Sequence, residues 1–271
     1  MNHDANSVSQ IGPGGSPVNP YSSGYNTPYA GAFDSQGNLF VADFGSGSVL
    51  KVGPGGGVAS VFATGFNGPA ALAFDSLGNL LVANQFNGTV SKVGPGGGAA
   101  TTFATGFNVA AGLAIDANGN VFVSNLGNGT VSKVGPGGGA ATTFATGFSD
   151  PTGMAFDSLG NLYISNGSVV SKVGPGGGAA TTFATGFDRA IGLTFDTDGN
   201  LFVADFGANN ILKVGPGGGQ ATLYATGFNR PISVAFALSA VPEPASIVML
   251  GTGAIGLLGF AWRRKALAKR A

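Results

Sequence analysis

A glycine-rich phrase recurs along the chain at an almost constant spacing. The copy at 92–107 reads Lys-Val-Gly-Pro-Gly-Gly-Gly-Ala-Ala-Thr-Thr-Phe-Ala-Thr-Gly-Phe, and related copies begin at Lys51, Lys133, Lys172 and Lys213. The steps between these lysines are 41, 41, 39 and 41 residues. A second phrase of the type Phe-Asp-x-x-Gly-Asn keeps the same spacing, with its aspartate at Asp34, Asp75, Asp116, Asp157 and Asp196. A fixed period near forty predicts an array of one supersecondary unit.

Each repeat contains four short apolar segments separated by turn residues. In the unit at 70–107, the segments 71–74, 80–84, 89–93 and 100–104 are separated by stretches rich in Gly, Asn and Asp. These residues favour tight turns, since Gly accepts positive φ and Asp or Asn bonds to nearby backbone. Four strands per forty residues predict a β-propeller blade, whereas a β-solenoid would have shorter coils and fewer hairpins. The crowded central axis is expected to take small residues such as Ala71, Ala73, Ala114 and Ala155.

The repeat count predicts a ring that closes through both ends of the chain. Five full units begin near residues 29, 70, 111, 152 and 191, and fragments remain at 7–15 and 232–236. These fragments align with a third strand and a first strand, so we expect them to share an incomplete sixth blade. Met1 falls where the second strand of that blade would end. In addition, no secretory signal is recognisable in residues 1–20. Together these two observations suggest a misplaced start codon or a truncated gene. The predicted fold is all-β: a six-bladed β-propeller over 1–240, with its closing blade incomplete, followed by a transmembrane helix within 241–271.

Composition limits the chemistry that the chain can perform. Charged residues make up only 9% of the chain and there is no cysteine, which excludes disulfides and thiol catalysis. Residues 1–240 hold seven Lys/Arg and eleven Asp, a net charge of −4, while 241–271 have a net charge of +4. A mildly acidic body makes nucleic acid an unexpected partner.

The repeat phrase Phe-Asp-x-x-Gly-Asn-Leu-Phe-Val-Ala-Asp resembles the NHL repeat, and more loosely the gluconolactonase-like propellers. The resemblance covers residues 1–238 and implies the propeller fold. It says little about function, because such propellers have many functions.

The segment after the repeats resembles a PEP-CTERM sorting signal. Its parts are the motif Val241-Pro242-Glu243-Pro244, an uncharged apolar run at 247–262, and the basic cluster Arg263, Arg264 and Lys265. The run is close to the length that spans a bilayer, and the basic cluster predicts a single pass with a cytoplasmic C-terminus. The resemblance implies export, recognition and cleavage near Pro242–Pro244 by an exosortase-type membrane protease, and a final location at the cell surface or in an extracellular matrix. Exopolysaccharide or a surface protein is then the expected further partner.

Polar residues recur where second strands end and between blades, and these loops should gather on one face of the ring. The expected binding face comprises Asp43, Asn84, Asn125, Asn166, Asp205, Asp188, Arg189, Asn229 and Arg230. Its oxygen atoms could hold a hard cation such as calcium, or each Asp and Asn could instead cap a turn. The least repetitive polar positions are Asp188-Arg189 and Asn229-Arg230, which we expect to form the binding surface. No cofactor is predicted.

Catalytic signatures are sparse. Residues 1–240 contain no glutamate, which departs from the metal-binding pattern of the gluconolactonase-like enzymes, and the single histidine, His3, is expected in a frayed terminus. The five lysines of the repeat are expected either at solvated outer positions or as binding groups for an acidic polysaccharide. Phe66, Phe107, Phe148, Phe187 and Phe228 are expected to pack between blades. The sequence therefore predicts a non-enzymatic exported scaffold that binds protein or glycan, the alternative being a divalent-metal hydrolase or lyase of the gluconolactonase-like type.

Overall fold

A computed structural model of the chain describes residues 1–16 and 18–236. Within these ranges the chain is almost entirely β-structure, and its one helical element is a 3₁₀ turn at Pro13–Gly15. The first two strands, β1 (Ser7–Ile11) and β2 (Val18–Ser23), form a two-stranded antiparallel sheet, the terminal sheet. The prediction of an all-β repeat fold is confirmed.

Five antiparallel blades follow the terminal sheet, each with four strands that are neighbours in sequence order. Blade 1 contains β3 (Pro28–Phe33), β4 (Leu39–Asp43), β5 (Ser48–Val52) and β6 (Ser60–Thr64). Blade 2 contains β7 (Pro69–Phe74), β8 (Leu80–Asn84), β9 (Thr89–Val93) and β10 (Thr101–Thr105). Blade 3 contains β11 (Ala110–Ile115), β12 (Val121–Asn125), β13 (Thr130–Val134) and β14 (Thr142–Thr146).

The last two blades repeat this order with one addition. Blade 4 contains β15 (Pro151–Phe156), β16 (Leu162–Asn166), β17 (Val169–Val173) and β18 (Thr181–Thr185). Blade 5 contains β19 (Ala190–Phe195), β20 (Leu201–Asp205), β21 (Asn210–Val214) and β23 (Thr222–Ala225). The short strand β22 (Gly219–Gln220) pairs in parallel with β18, so it links blade 5 to the outer strand of blade 4.

The hydrophobic core lies between blades and not within them. The second strands are apolar on both faces because each blade is covered by a neighbour on either side, and Leu80, Leu81 and Val82 are almost fully buried. Four clusters join consecutive blades, and two more join the terminal sheet to blade 5 and to blade 1. The phenylalanines before the inter-blade loops belong to these clusters, as predicted: Phe66, Phe107, Phe148 and Phe187 are buried, and Phe228 is partly buried.

The blade count differs from the prediction, since five four-stranded blades are present and not six. The sixth position of the ring contains the terminal sheet, with Asn2 bridged to Pro231 on one side and to Ser7 on the other. The Met1 ammonium donates to Ser233 O at 2.9 Å, and Ile232 N donates to Met1 O at 3.1 Å. These bonds join the two ends of the described chain across the ring.

Glycine lines the axial cavity as well as alanine, which corrects one prediction in part. Ala71 lines the axial cavity, but Ala73, Ala114 and Ala155 pack in the clusters between blades. At the position equivalent to Ala71, the inner strands of blades 3 to 5 have Gly112, Gly153 and Gly192, which line the cavity. A Cβ at any of these three glycines would overlap backbone of the next inner strand. The inner strands of blades 3 to 5 can therefore approach more closely than alanine would allow.

The glycine-rich turn of each repeat docks on the preceding blade. Gly98 N donates to Phe62 O at 3.2 Å, and Gly139 N donates to Phe103 O at 3.0 Å. A Cβ on the preceding residue, Gly97 or Gly138, would collide with the same carbonyl oxygen. The repeated Gly-Pro-Gly-Gly-Gly phrase thus forms the outer fastening between neighbouring blades.

The predicted sorting segment lies outside the described residues. This applies to Val241–Pro244, to the apolar run at 247–262 and to Arg263, Arg264 and Lys265. Among residues 1–236, Pro17 excepted, no helix is long and apolar enough to cross a membrane.

Candidate functional site: the channel mouth

A small cavity lies on the axis of the propeller. Its volume is about 150 Å³, and residues of the inner strands form most of its wall. Side chains from the loop side of the ring also line it, namely Tyr29, Gln85, Leu126 and Arg189. We call this end of the cavity, with the aromatic and charged residues described next, the channel mouth.

Five rings form an arc at the channel mouth. Tyr29 stacks on Phe44 with centroids 4.7 Å apart, and Phe44 meets the edge of Phe86 at 5.0 Å. His3 lies edge-on to both Tyr29 and Phe206, at 5.9 and 6.3 Å. Phe86 is 67% exposed, an unusual state for a large apolar ring. The arc thus offers an aromatic surface to solvent beside the cavity.

Two arginines flank the ring of Phe206. The guanidinium carbon of Arg230 lies 4.7 Å from the ring centroid, and that of Arg189 lies 5.5 Å from it. Arg230 Nη1 pairs with Asp4 Oδ2 at 3.3 Å, and Arg189 Nε lies 3.4 Å from Asp150 Oδ2. About half of each side chain is exposed, so these ion pairs contribute little stability. Both guanidinium groups therefore remain accessible to a ligand.

The pKa values of Asp4 and Tyr29 at the channel mouth are shifted by burial and by neighbouring charges. The hydrogen bond from His3 lowers the pKa of Asp4, burial opposes the change, and Arg230 lowers the pKa further. Burial raises the pKa of Tyr29, while Arg189 lowers it and Asp150 raises it. Tyr29, Arg189 and Asp150 are thus close enough to interact electrostatically around the cavity.

His3 is at the channel mouth and not in a frayed terminus, which corrects the sequence-based expectation. Its backbone N donates to Arg230 O at 3.2 Å, and its Nδ1 lies 2.6 Å from Asp4 Oδ1. The bridges of Asn2 to Pro231 and Ser7 hold this segment in place. The single imidazole of the chain therefore lies beside the cavity, with a carboxylate partner.

The repeated Asp and Asn residues at the ends of the second strands lie beneath the loop face. Asp43, Asn84, Asn125 and Asp205 are at most 3% exposed, and Asn166 is partly buried. Each accepts a hydrogen bond from backbone N of the inter-blade loop that precedes its blade's first strand, for example Asn108 N to Asn125 Oδ1 at 3.1 Å. Some of them also bond to residues of the turn that follows: Ser46 Oγ donates to Asp43 Oδ2 at 2.6 Å, and Asn84 Nδ2 donates to Thr89 Oγ1 at 3.0 Å. They therefore fix both the preceding loop and their own turn, and the loop face rests on a fixed base.

The other predicted face residues are more accessible. Asp188, Arg189, Asn229 and Arg230 are exposed, but only the two arginines contact the aromatic arc. Within the part of the chain that the structure describes, no three Asp, Glu, His or Cys residues are grouped closely enough to hold a metal ion.

The aspartates of the Phe-Asp-x-x-Gly-Asn phrase close hairpin turns. Asp75 Oδ1 accepts from Leu77 N at 3.0 Å and from Asn79 N at 2.9 Å, and the Asn79 side chain donates to the same carboxylate. Burial raises the pKa of Asp75, but the bonds from Asn79, Lys92 and Leu77 outweigh it, and the pKa is lowered. The same balance lowers the pKa of Asp157 and Asp196.

The five lysines of the repeat have local partners. The ammonium groups of Lys51, Lys133, Lys172 and Lys213 lie 5.3–5.4 Å from the ring centroids of Phe40, Phe122, Tyr163 and Phe202. Blade 2 has Leu81 at the corresponding position, and Lys92 there pairs with Asp75 Oδ2 at 3.0 Å. Cation–π contact thus accounts for the lysine on four of the third strands, and the ion pair with Asp75 accounts for Lys92.

Sequence reasoning missed Tyr29, Phe44, Phe86 and Phe206. A signal exists for Phe44 and Phe206, because the position after each second strand varies while its neighbours repeat. The series at that position is Phe44, Gln85, Leu126, Gly167 and Phe206. Variation within a nearly identical repeat marks this position as one that the fold does not fix.

Comparison with known proteins supports both parts of the chain's organisation. Residues 240–265 match the family described as the PEP-CTERM protein-sorting motif. No curated protein matches the chain. The fold is similar to that of a streptogramin B lyase, with a TM-score of 0.65 at 16% identity, covering 78% of this chain and 73% of the other.

Two further solved structures are similar in fold. Virginiamycin B lyase from Staphylococcus aureus has a TM-score of 0.62 at 15% identity, covering 78% of this chain and 75% of the lyase. A chain of a nidogen–laminin complex has a TM-score of 0.64 at 17% identity, covering 70% of this chain and 76% of its own. At such identities the likeness shows the fold alone. The chain is thus a β-propeller that carries a PEP-CTERM sorting motif.

Proposed function

We propose that this protein is exported to the cell surface and that its propeller is a non-enzymatic scaffold that binds an acidic glycan at the channel mouth. The sorting motif supports export and recognition by an exosortase-type membrane protease. Before cleavage, the apolar run would cross the membrane once, with the basic cluster in the cytoplasm. The observation that carries the binding proposal is the convergence of two guanidinium groups and an exposed aromatic arc on one cavity.

The ligand class follows from the groups at the mouth. Arginine pairs with carboxylates through parallel hydrogen bonds, and Arg189 and Arg230 are the cations that the described loops place there. The exposed ring of Phe86, backed by the partly buried Phe44, suits the apolar face of a ring. A cavity near 150 Å³ is about the size that holds one benzene molecule. One uronic acid unit of a longer chain matches this combination of charge and ring shape, with its carboxylate end entering the cavity and its ring lying against the arc.

The mouth is also well suited to binding because its loops are held from below. Asp205 Oδ1 accepts from Arg189 N at 2.7 Å, and Asn209 Oδ1 accepts from Arg230 N at 2.8 Å. The backbone of both arginines is thus positioned before a ligand arrives, which reduces the ordering cost of binding.

Titration calorimetry with a short oligogalacturonate tests the binding proposal. We expect saturable binding that weakens at least tenfold when the carboxylates are reduced to alcohols. The double variant Arg189→Ala/Arg230→Ala should lose binding to the same degree, because it removes both guanidinium groups. The double variant Lys51→Ala/Lys172→Ala removes the same charge elsewhere and should bind normally. Equal affinity of both double variants would refute the proposed site.

The enzymatic alternative, a hydrolase or lyase of the gluconolactonase-like type, has one specific observation in its favour. His3 and Asp4 form a hydrogen-bonded pair at the channel mouth, where an imidazole could act as a general base. The similar structures include a virginiamycin B lyase in which a histidine-to-alanine variant is catalytically inactive. Mass spectrometry of the oligosaccharide after incubation separates the two functions. Intact ligand favours a scaffold, whereas shortened products that disappear with His3→Ala would establish an enzyme.

A further inference from the structure

The mouth end of the axial cavity has polar side chains that do not belong to the repeat. At the second position of the first strands, the residues around the ring are Tyr29, Ala70, Ala111, Thr152, Ile191 and Ile232. At the position after the second strands, Gln85 is polar where the other four blades have Phe, Leu or Gly. Tyr29, Gln85 and Arg189 all line the cavity, although they come from blade 1, blade 2 and the loop that leads into blade 5. Convergence of a few polar groups on one cavity is typical of a ligand site.

The hydroxyl of Tyr29 and the side-chain amide of Gln85 are available to a ligand. Among the described residues these two groups have no hydrogen-bond partner, whereas the hydroxyls of Tyr25 and Tyr163 donate to Ser22 Oγ and Asp157 Oδ2. Thr152, the other polar residue at its position, is already engaged, because its Oγ1 donates to Ile191 O at 3.2 Å. Tyr29 and Gln85 therefore offer two unused donors to the cavity.

Arg189 provides the positive charge of the cavity wall. Its Nε lies 3.4 Å from Asp150 Oδ2, which is long for a charge-assisted hydrogen bond and leaves the terminal nitrogens for a ligand. Arg230 also contacts Phe206, but it does not line the cavity. One guanidinium group, partly balanced by Asp150, suits a group with a single negative charge.

The deeper wall of the cavity limits how far an anion can enter. The first strands run from the loop face to the hairpin turns, so Leu72, Leu113, Met154 and Leu193 lie beneath the level of Tyr29. Each of these side chains is at most 8% exposed. Burial of a charge without polar partners is costly. A carboxylate therefore stops at the level of Tyr29, Gln85 and Arg189.

We infer that Tyr29 and Gln85 are specificity-determining residues, which together with Arg189 bind the carboxylate of the uronic acid at the mouth end of the cavity. The Tyr29 hydroxyl and Gln85 Nε2 each donate to a carboxylate oxygen, and Arg189 adds charge and further donors. Burial raises the pKa of Tyr29, so the phenol stays protonated and can donate at neutral pH. The stacked contact with Phe44 holds its ring in place. This inference rests on the proposed function.

Titration calorimetry of the full-length chain with trigalacturonate tests the two residues. Tyr29→Phe keeps the stacked ring and removes only the hydroxyl, and Gln85→Leu introduces the residue that blade 3 has at this position. We expect each variant to bind about tenfold more weakly, because each loses one hydrogen bond to a charged group. The melting temperature should equal that of the wild type. Tyr224→Phe, on the outer strand of blade 5, is the matched control and should bind normally.

The methyl ester of trigalacturonate tests whether the cavity recognises the carboxylate. The wild type should prefer the acid to the ester by at least tenfold, because esterification removes the charge. Arg189→Ala should lose most of this preference, whereas Arg230→Ala should bind both forms more weakly and keep the preference. A purely structural role of Arg189 would lower both affinities by the same factor.

The outcomes separate this inference from the proposed function. Normal affinity of both Tyr29→Phe and Gln85→Leu for trigalacturonate would overturn the inference, while binding by the wild type would still support the channel mouth as the site. Absence of uronate binding by the wild type would overturn both. If Tyr29→Phe lowers the melting temperature, the affinity of Gln85→Leu decides, since that substitution retains the hydrogen bond from the backbone N of residue 85 to Gly68 O.

Discussion

At the scale of single residues, the polar positions divide into those that hold loops and those that face the mouth. The Asp and Asn at the ends of second strands recur because each ties an inter-blade loop to its blade. Their recurrence was visible in the sequence, but their burial was not. The sequence alone does not show whether such an Asn accepts a hydrogen bond from a loop or from a ligand. The loop that donates the hydrogen bond to Asn125 lies 17 residues earlier in the chain.

Removing one such anchor should cost stability. Asn125 accepts from Asn108 N and donates to Thr130 Oγ1 and Ser132 Oγ, and it is buried. Asn125→Ala removes the partner of Asn108 N and Ser132 Oγ, and we expect a loss of about 2–3 kcal/mol in urea unfolding. Asn118→Ala, in an exposed hairpin turn, is the matched control and should change stability by less than about 0.5 kcal/mol. Equal losses would contradict the anchoring role.

Two aspartates should show opposite dependence of stability on pH. Burial raises the pKa of Asp43, against hydrogen bonds from Ser46 and Asn26 that lower it. Ionised Asp43 therefore lowers the stability of the folded protein at pH values above its folded-state pKa. This loss of stability disappears as the pH falls below 3.8, the ordinary pKa of an aspartate. Asp43→Asn, which introduces the residue found in blades 2 to 4, should be more stable than the wild type at pH 7 and equal to it near pH 3.

The lowered pKa of Asp75 predicts the opposite dependence of stability on pH. Ionised Asp75 stabilises the folded protein above pH 3.8, and this stabilisation is lost as the pH falls through the folded-state pKa of Asp75. Asp75→Asn should therefore be less stable than the wild type at pH 7, with the difference shrinking on acidification. Thermal unfolding from pH 7 to pH 2 checks both variants, and parallel pH profiles would refute the assignment.

At the scale of elements, the strands could be predicted from the sequence because their apolar runs and turn residues recur five times. Repetition revealed the blade unit, the role of the hairpin aspartates and the packing of the inter-blade phenylalanines. The channel mouth could not be predicted, because its residues come together only when the ring closes. His3 and Phe206 are in contact, yet they lie at opposite ends of the described chain. Periodicity in the sequence reveals the residues that the blades have in common, whereas the channel mouth is formed by residues that differ between blades.

The glycine-rich turn provides a sharp test of the fastening between blades. Gly138 has φ +81°, and a Cβ there would collide with Phe103 O. Gly137→Ala is the matched control, since Gly137 has an ordinary φ and open space around it. We expect Gly138→Ala to destabilise the protein by about 1–3 kcal/mol and the control by less than about 1 kcal/mol, as measured by urea unfolding. Similar losses would show that the turn does not fasten the blades.

At the scale of the whole molecule, the chain combines a rigid ring with a separate sorting motif. Six hydrophobic clusters join neighbours around the ring, including both contacts of the terminal sheet. Such an arrangement suits a protein that presents a fixed surface outside the cell. The motif at 240–265 supports export, and the channel mouth is the surface that we propose the protein presents there.

The intact mass of the protein in cell and medium fractions of its native host tests the central claim, that the propeller is exported and separated from its sorting motif. We predict a species outside the cytoplasm whose mass lacks the segment after about Pro244, with the propeller retained. A full-length species confined to the cytoplasm would contradict the account, because the motif would then not be recognised and the channel mouth would not reach an extracellular ligand.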